Sequence, residues 1–313
     1  MSTRRLPPLP AVLVLLALSA QAPAEASRFW RGRAAATPPP APATGPATAV
    51  DQDPAKGPDG RLRLVNKGSH YEAWADNRLP GPLQVRLRLR QADNITPAPA
   101  LPLQATLPAS GSLLLARLYP TDPRLHSQFD LDLDFVPGDP AARPLDHPYR
   151  LPVETPRVRV DQGFGGSFSH DDAQNRHALD FAVDEGTPVL AAREGVVLQV
   201  ESGHAQAGLD RQRYGARANY VRILHPDGSM ALYGHLRPDG VLVRPGQRVD
   251  QGQRIALSGN TGYSSAPHLH FVVQVNRGMR LESIPVRVVT PQGELKLARE
   301  APAAGGSAAP PSA

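Results

Sequence analysis

Residues 61–137 alternate apolar and polar side chains in short runs that turn residues separate. In residues 83–90 and 129–135 every second side chain is apolar, while the side chains between them are mostly arginine, glutamine or aspartate. A period of two is that of a strand with one face in a core. Pro and Gly at 80–82 and 137–138 end these runs. We therefore predict a small β-sandwich over residues 59–148.

The pattern of short strands continues in the second half of the chain, which we predict to be a separate domain over residues 149–300. Apolar runs bounded by Gly, Pro, Asp or Asn occur at 187–192, 195–200, 220–224, 229–233, 254–258 and 268–275. None of them has the spacing of an amphipathic helix. The fold class predicted for the whole protein is therefore all-β.

The two ends of the chain have different compositions. Arg4 and Arg5 precede an apolar run at 11–20 and small residues at 22–26, a pattern typical of a secretory signal peptide over residues 1–26. The alternative is an uncleaved anchor, although the run is shorter than the roughly 20 residues that a membrane span needs. We expect an exported protein, periplasmic or extracellular, without a transmembrane segment after the signal is removed. Residues 27–58 are predicted to be a Pro/Ala-rich linker and 301–313 a disordered tail.

Composition restricts the chemistry that is available. The 313 residues include no cysteine, so any metal site must be built from histidine and carboxylate side chains. The formal net charge is +5, but the surplus consists of scattered arginines without interleaved aromatics. We therefore predict no binding to nucleic acid and only weak attraction to anionic envelope polymers.

Three carboxylates, Asp130, Asp132 and Asp134, alternate with apolar residues on one predicted strand. Acidic stripes can bind calcium, but alternate positions on a strand form one face of it. We expect this face to be solvated rather than to bind a metal.

Histidines concentrate in the second domain, where seven of the ten in the chain lie between residues 170 and 270. His268 and His270 are two apart on an apolar strand, so their imidazoles share one face. Asp180 lies on another largely apolar strand between Ala178 and Ala182, and a carboxylate there is costly to bury unless it is paired or binds a metal. A buried ion pair at Asp180 and two surface histidines are the plain alternatives.

The order of motifs over residues 160–280 resembles the lysostaphin/LytM-type zinc metalloendopeptidases. The matching segments include Ser-His at 169–170, Ala-Leu-Asp-Phe at 178–181, Asn-Tyr-Val at 219–221, His-Pro-Asp-Gly at 225–228, Tyr-Gly-His at 233–235, Ser-Gly-Asn-Thr-Gly at 258–262 and His-Leu-His at 268–270. The resemblance implies one Zn²⁺ held by His170, Asp180 and His270. It also implies catalytic roles for His235 and His268 as general base or oxyanion stabiliser.

The resemblance has one departure, which concerns the first metal ligand. The usual spacing of the family, His-x-x-x-Asp, would place Arg176 at that position. His170 is the preferred ligand and His177 is the alternative. Arg193, Asn219 and Tyr233 could line a cleft or serve packing, and the glycine-rich residues 162–166 could lie along a substrate groove.

Taken together, these features predict a zinc metalloendopeptidase that hydrolyses peptide bonds, most simply peptidoglycan cross-links or stem peptides. The alternative is a non-catalytic regulator or adaptor of cell-wall hydrolases with the same fold. Retention of Asp180, His235, His268 and His270 favours the enzyme.

Overall fold

The computed structural model describes residues 59–296 and the backbone of residues 32–35. The predicted signal peptide, most of the predicted linker and the predicted tail lie outside the described residues. The strands of the N-terminal part are β1 Gly32–Ala35, β2 Gly60–Asn66, β3 Tyr71–Asn77, β4 Leu83–Asp93, β5 Ile95–Ala98, β6 Leu103–Leu107, β7 Ser112–Pro120 and β8 Gln128–Pro137.

The C-terminal part adds fifteen strands and one helical turn. They are β9 Pro148–Arg150, β10 Val160–Gln162, β11 Leu179–Ala182, β12 Pro188–Leu190, β13 Gly195–Glu201, β14 Ala207–Gly208, α1 Arg211–Tyr214, β15 Asn219–Leu224, β16 Met230–Val241, β17 Arg248–Val249, β18 Arg254–Ser258, β19 Gly262–Tyr263, β20 His268–Asn276, β21 Leu281–Ser283, β22 Arg287–Thr290 and β23 Gly293–Glu294. The all-β prediction is confirmed. In residues 59–296 no helix is long and apolar enough to cross a membrane.

The N-terminal strands form two four-stranded sheets, in the orders β1-β8-β4-β6 and β2-β3-β7-β5. Alternation along β4 and β8 turns Leu83, Val85, Leu87, Leu131 and Leu133 into a shared core, in which none of the five is exposed. This is the predicted β-sandwich. One of its strands, β1, comes from within the predicted linker and pairs antiparallel with β8.

The aspartate stripe on β8 is not solvated, and the expectation of a solvated face is wrong. Asp130, Asp132 and Asp134 are 7%, 3% and 1% exposed. The physical reason is that β8 has a neighbour on each side, and β4 supplies arginines on the same face. Asp134 accepts hydrogen bonds from Arg86 Nη2 at 2.8 Å and from Arg88 Nη2 at 3.1 Å.

A ten-stranded sheet organises the C-terminal part, with the path β10-β11-β20-β16-β15-β13-β17. The short strands β12, β18 and β21 belong to the same sheet but lie off this path: β18 pairs with β16 and β12, and β21 pairs with β20. One face packs a second core in which Leu179, Phe181, Tyr233, Leu269 and Phe271 are at most 1% exposed. The residues that alternate with them along β11, β16 and β20 point to the other face, which carries the histidines.

The two parts of the molecule share apolar packing and hydrogen bonds. Four residues from the C-terminal part belong to the core of the sandwich, namely Leu198, Met230, Met279 and Leu281. Met279 N–H also donates to Gln84 Oε1 at 2.7 Å. The sandwich therefore lies against one end of the histidine-bearing face.

Candidate active site

Asp180 and His270 are brought together by strand register. Strands β11 and β20 are antiparallel, and Asp180 lies directly opposite His270. His270 Nδ1 and Asp180 Oδ1 are 2.9 Å apart, and both residues are buried. On the other side of β20, His270 lies opposite Gly234. Because glycine has no side chain, nothing on β16 covers the imidazole at that level.

His170 reaches the same carboxylate from the loop before β11. It is 1% exposed, and its Nδ1–H donates to Gly163 O at 2.7 Å, so in the neutral ring the lone pair lies on Nε2. Nε2 lies 3.2 Å from Asp180 Oδ1 and has no hydrogen-bond donor or acceptor as a partner. A buried nitrogen lone pair without a partner is unusual in a folded protein.

These three side chains suit a metal ion. One ligating atom from each of His170, Asp180 and His270 can be chosen so that all three lie within 4.8 Å of one another. Ligands about 2.0 Å from a tetrahedral ion are roughly 3.3 Å apart, close to the observed nitrogen–oxygen distances. Burial raises the pKa of Asp180, but the imidazoles of His170 and His270 beside its carboxylate outweigh burial and hold that pKa well below its ordinary value. A carboxylate kept ionised between two imidazoles is a donor set that Zn²⁺ accepts.

His235 and His268 lie beside this cluster. The ring centroids of His235 and His268 are 4.6 Å apart, and His268 Nε2 is 3.8 Å from Asp180 Oδ1. The Nδ1–H of His235 donates to Thr261 O at 2.6 Å, and that of His268 donates to Ala266 O at 2.8 Å. Each imidazole therefore carries its lone pair on Nε2. Burial, together with His268 and His270, lowers the pKa of His235 to about 3, so His235 is neutral at physiological pH.

Regular alternation along β16 would turn His235 into the core beside Tyr233. Instead His235 has a φ of 60°, in the left-handed region that side chains other than glycine rarely adopt. The reversal brings its imidazole to the face that carries His268 and His270, while Leu236 returns to the core. Such backbone strain persists where the surrounding contacts enforce it, and it is concentrated at functional sites.

His177, the alternative first ligand, is placed elsewhere. Its Nδ1 lies 3.0 Å from Ser283 O and its ring meets Phe164 edge-on. It is absent from the His170, Asp180 and His270 group among the described residues. Of the two candidates, His170 is the one beside Asp180.

Sequence reasoning missed two side chains that touch the cluster. Gln162 Nε2–H donates to Asp180 Oδ2 at 3.0 Å, and Asn175 Oδ1 lies 3.2 Å from His270 Nε2. Both fix the orientation of the groups they touch. The position of Gln162 before the glycine-rich residues 163–166 was the only sequence pattern that pointed to it, and nothing in the sequence pointed to Asn175.

The three residues left open between cleft and packing serve packing. Tyr233 is fully buried, and its hydroxyl accepts the N–H of Ala192 at 2.8 Å. Arg193 Nη1 is 2.7 Å from the Asp227 carboxylate. Asn219 is also fully buried, and its backbone N–H donates to Thr261 Oγ1 at 3.1 Å, behind the carbonyl that holds His235.

The loop that carries Thr261 requires glycine next to it. Gly262 has a φ of 81°, and a Cβ there would lie 2.7 Å from the backbone nitrogen of Ala218. The Ser-Gly-Asn-Thr-Gly motif thus sets the position of the carbonyl that orients His235.

Comparison with protein families identifies this region, since residues 174–281 match the family described as Peptidase family M23. Residues 174–281 are an M23 peptidase domain. Asp180, His235, His268 and His270 fall inside the matched range, and His170 precedes it.

Two curated proteins are similar to part of this chain. The peptidoglycan DD-endopeptidase ShyA of Vibrio cholerae is 35% identical over 153 residues, which cover 47% of this chain and 32% of ShyA. The glycyl-glycine endopeptidase ALE-1 of Staphylococcus capitis is 40% identical over 103 residues, which cover 33% of this chain and 25% of ALE-1. The chain thus spans about a third or less of the length of these relatives.

Solved structures of similar chains include the catalytic domain of lysostaphin from Staphylococcus simulans, which is 32% identical. That alignment covers 38% of this chain and 81% of lysostaphin's domain, with a TM-score of 0.29. A zinc-containing peptidase from Vibrio cholerae is 20% identical, covering 73% of this chain and 85% of that one, with a TM-score of 0.34.

Proposed function

We propose that this protein is a zinc metalloendopeptidase that hydrolyses peptide bonds of peptidoglycan outside the cytoplasm. The observation that carries the proposal is the convergence of His170, Asp180 and His270, whose ligating atoms lie within 4.8 Å of one another. The M23 match and the names of the curated relatives support the reaction class and the substrate class. The signal-peptide pattern over residues 1–26 supports export.

His170, Asp180 and His270 would hold the metal. A bound Zn²⁺ supplies a Lewis acid and lowers the pKa of a coordinated water toward ~7, which gives a nucleophile at neutral pH. The chain fixes its ligands through their second polar atoms: Gly163 O holds His170, Asn175 Oδ1 holds His270 and Gln162 holds Asp180. Such outer contacts set the orientation and the basicity of the ligands.

His235 and His268 would handle protons. Both present Nε2 with its lone pair, because Nδ1–H of each ring is bound to a backbone carbonyl. One of them accepts the proton of the attacking water and returns it to the leaving amine, while the other, when protonated, stabilises the developing oxyanion. The groove lined by His235 and His270 offers room for an extended peptide alongside them.

The names of the two curated relatives refer to different bonds, a DD-linkage and a glycyl-glycine linkage. The proposal therefore extends to cell-wall peptides as a class and not to one bond within that class.

The test incubates the purified full chain and zinc with peptidoglycan sacculi, and identifies the released fragments by mass spectrometry. We expect one zinc per chain by elemental analysis, released peptides, and loss of both after treatment with EDTA. His235→Ala should abolish release while the zinc content stays the same. A chain that binds no zinc and releases nothing, yet stimulates a separate cell-wall hydrolase, would be the non-catalytic regulator.

A further inference from the structure

A groove of about 450 Å³ leads from the candidate active site toward the sandwich. His235 and His270 line one end, and Asp59 and Arg78 of the N-terminal part line the other. Between these ends the floor is the histidine-bearing face of the ten-stranded sheet. The polar groups of this floor take no part in the metal cluster.

Arg222, on β15, is a charged residue of this floor. It is 4% exposed and it lines the groove. Its Nη1 donates to Gln274 Oε1 at 2.6 Å, while its Nε is buried without an acceptor. Among the described residues no carboxylate forms an ion pair with it. Burial lowers the pKa of Arg222 although Tyr220 and Asp59 act in the opposite direction, which marks a cation with little compensation.

Gln199 provides an acceptor beside this donor. It lies directly opposite Arg222 across β13 and β15, and it also lines the groove. Its Nε2–H donates to Asp59 Oδ1 at 2.7 Å, while its Oε1 is buried without a donor. A guanidinium N–H and an amide oxygen therefore belong to paired residues of neighbouring strands, each atom without a hydrogen-bond partner. Buried polar groups without partners are rare, and each one calls for an explanation, such as a role in catalysis, a water or a bound ion or ligand.

The two free groups together fit one chemical feature, a carboxylate next to an N–H on the same carbon. Arginine binds a carboxylate through charge-assisted hydrogen bonds, and the amide oxygen accepts the N–H. The C-terminal residue of every peptide carries this pair of groups on its α-carbon. A side chain whose end bears both a carboxylate and an amine on one carbon carries the same pair.

The position suits a substrate that also reaches the metal cluster. Arg222 lies opposite Leu232, and Leu232 lies opposite Val272, two residues beyond His270. Two strand spacings and two residues along the strand separate the Cα atoms of Arg222 and His270 by about 12 Å. An extended peptide covers that distance in about three to four residues.

We propose that Arg222 and Gln199 form a subsite for the α-carboxylate end of a peptide, a few residues from the bond that is cleaved. The proposal rests on the proposed endopeptidase function for the nature of the peptide. The alternative is that Arg222 serves only as a distant counter-charge for Asp59 across the junction, in which case it would not distinguish between ligands.

The test measures binding, so that it does not depend on turnover. The zinc-loaded full chain carries His235→Ala, and the probes are fluorescent cross-linked muropeptides released from sacculi by a glycan-cleaving enzyme. One probe is native, and the other has its carboxylates converted to carboxamides with carbodiimide and ammonia. We expect amidation to weaken binding about 10- to 100-fold. Arg222→Gln should weaken binding of the native probe by the same factor and leave the amidated probe unaffected.

Arg280→Gln is the matched control, since Arg280 lines the same groove but pairs with Glu282 at 2.7 Å. It should preserve the preference for the native probe. Equal binding of both probes by the parent, or an unchanged preference in Arg222→Gln, would overturn the subsite. If Arg222→Gln does not fold, Arg222→Lys and Gln199→Ala test the subsite instead. Each of them should reduce the preference for the native probe over the amidated probe.

A third probe, with its free amines acetylated, distinguishes the two sources of the α-carboxylate centre. Weaker binding after acetylation indicates a side chain that ends in an amino acid, and unchanged binding indicates the peptide C-terminus. A clear preference for the native probe in a protein that never cleaves sacculi would refute the proposed function and leave the subsite intact.

Discussion

Two groups of buried carboxylates in this protein come from the same sequence pattern and differ in how their charge is balanced. On β8, Asp132 and Asp134 lie among arginines of the neighbouring strand, with Arg86 Nη2 at 2.8 Å from Asp134 and Arg90 Nε at 3.4 Å from Asp132. On β11, Asp180 has no arginine or lysine within ion-pair distance among the described residues; imidazoles surround its Oδ1, and the Gln162 amide donates to its Oδ2. Arginines of the chain balance the first group, whereas the second is the site at which we propose a metal ion. On this proposal the neighbouring side chains, and not the carboxylate, decide between an ion-pair network and a metal site.

The largest effect on zinc content and peptide release should come from removing the His170 imidazole. We expect His170→Ala to lose stoichiometric zinc and to reduce peptide release from sacculi at least about 1000-fold, because two of three ligands cannot hold the ion in a catalytic geometry. Elemental analysis and mass spectrometry of the released fragments measure these two quantities. His177→Ala is the matched control and should keep both, since His177 binds Ser283 instead. Loss of zinc in His177→Ala alone would reverse the assignment of the first ligand.

Breaking the β8 network should affect stability and leave the metal unaffected. Asp134→Asn leaves two guanidiniums without their carboxylate, but Arg86 and Arg88 are 30% and 31% exposed and keep part of their hydration. We expect the free energy of unfolding to fall by about 1–3 kcal/mol, measured in urea.

Glu154→Gln, which breaks the exposed pair between Arg254 and Glu154, should cost less than about 1 kcal/mol. Zinc content should be the same in both variants. A drop in zinc content in Asp134→Asn would contradict the separation of the two carboxylate groups.

The smallest effect should come from the amide that orients a ligand. Asn175→Ala removes the acceptor for His270 Nε2–H, and we expect zinc affinity to fall about 10-fold, measured by competition with a chelator. Asn175→Asp keeps an oxygen at that position and should restore most of the affinity. Equal losses in the two variants would mean that Asn175 acts through the loop and not through His270.

Alternation in the sequence predicted the main strands of both parts, such as β4, β8, β11 and β20. Asp180 and His270 could be assigned to one site only through the family resemblance, since their register requires β11 to lie beside β20, 90 positions apart in the chain. His235 shows the limit of pattern reasoning. Strand alternation would place His235 on the same face as Tyr233, in the core. The φ of 60° at His235 turns its side chain to the opposite face.

The aspartates of β8 show the same limit from the other direction. The alternation of Asp130, Asp132 and Asp134 was predicted correctly, but a period of two does not indicate which face is covered. Whether a face meets water depends on which strands lie beside it, and that is a property of the three-dimensional fold. Gln162 and Asn175 were missed because amides that orient a ligand have no characteristic spacing.

The apolar seam formed by Leu198, Met230, Met279 and Leu281 limits how the protein can be divided. A fragment beginning near residue 149 would keep every histidine of the candidate active site but would leave these four side chains facing solvent. Such a fragment should self-associate during purification, and replacing the seam with serine and glutamine should restore a monodisperse particle. The sandwich would then be dispensable for the hydrolytic chemistry while remaining the natural cover of that seam.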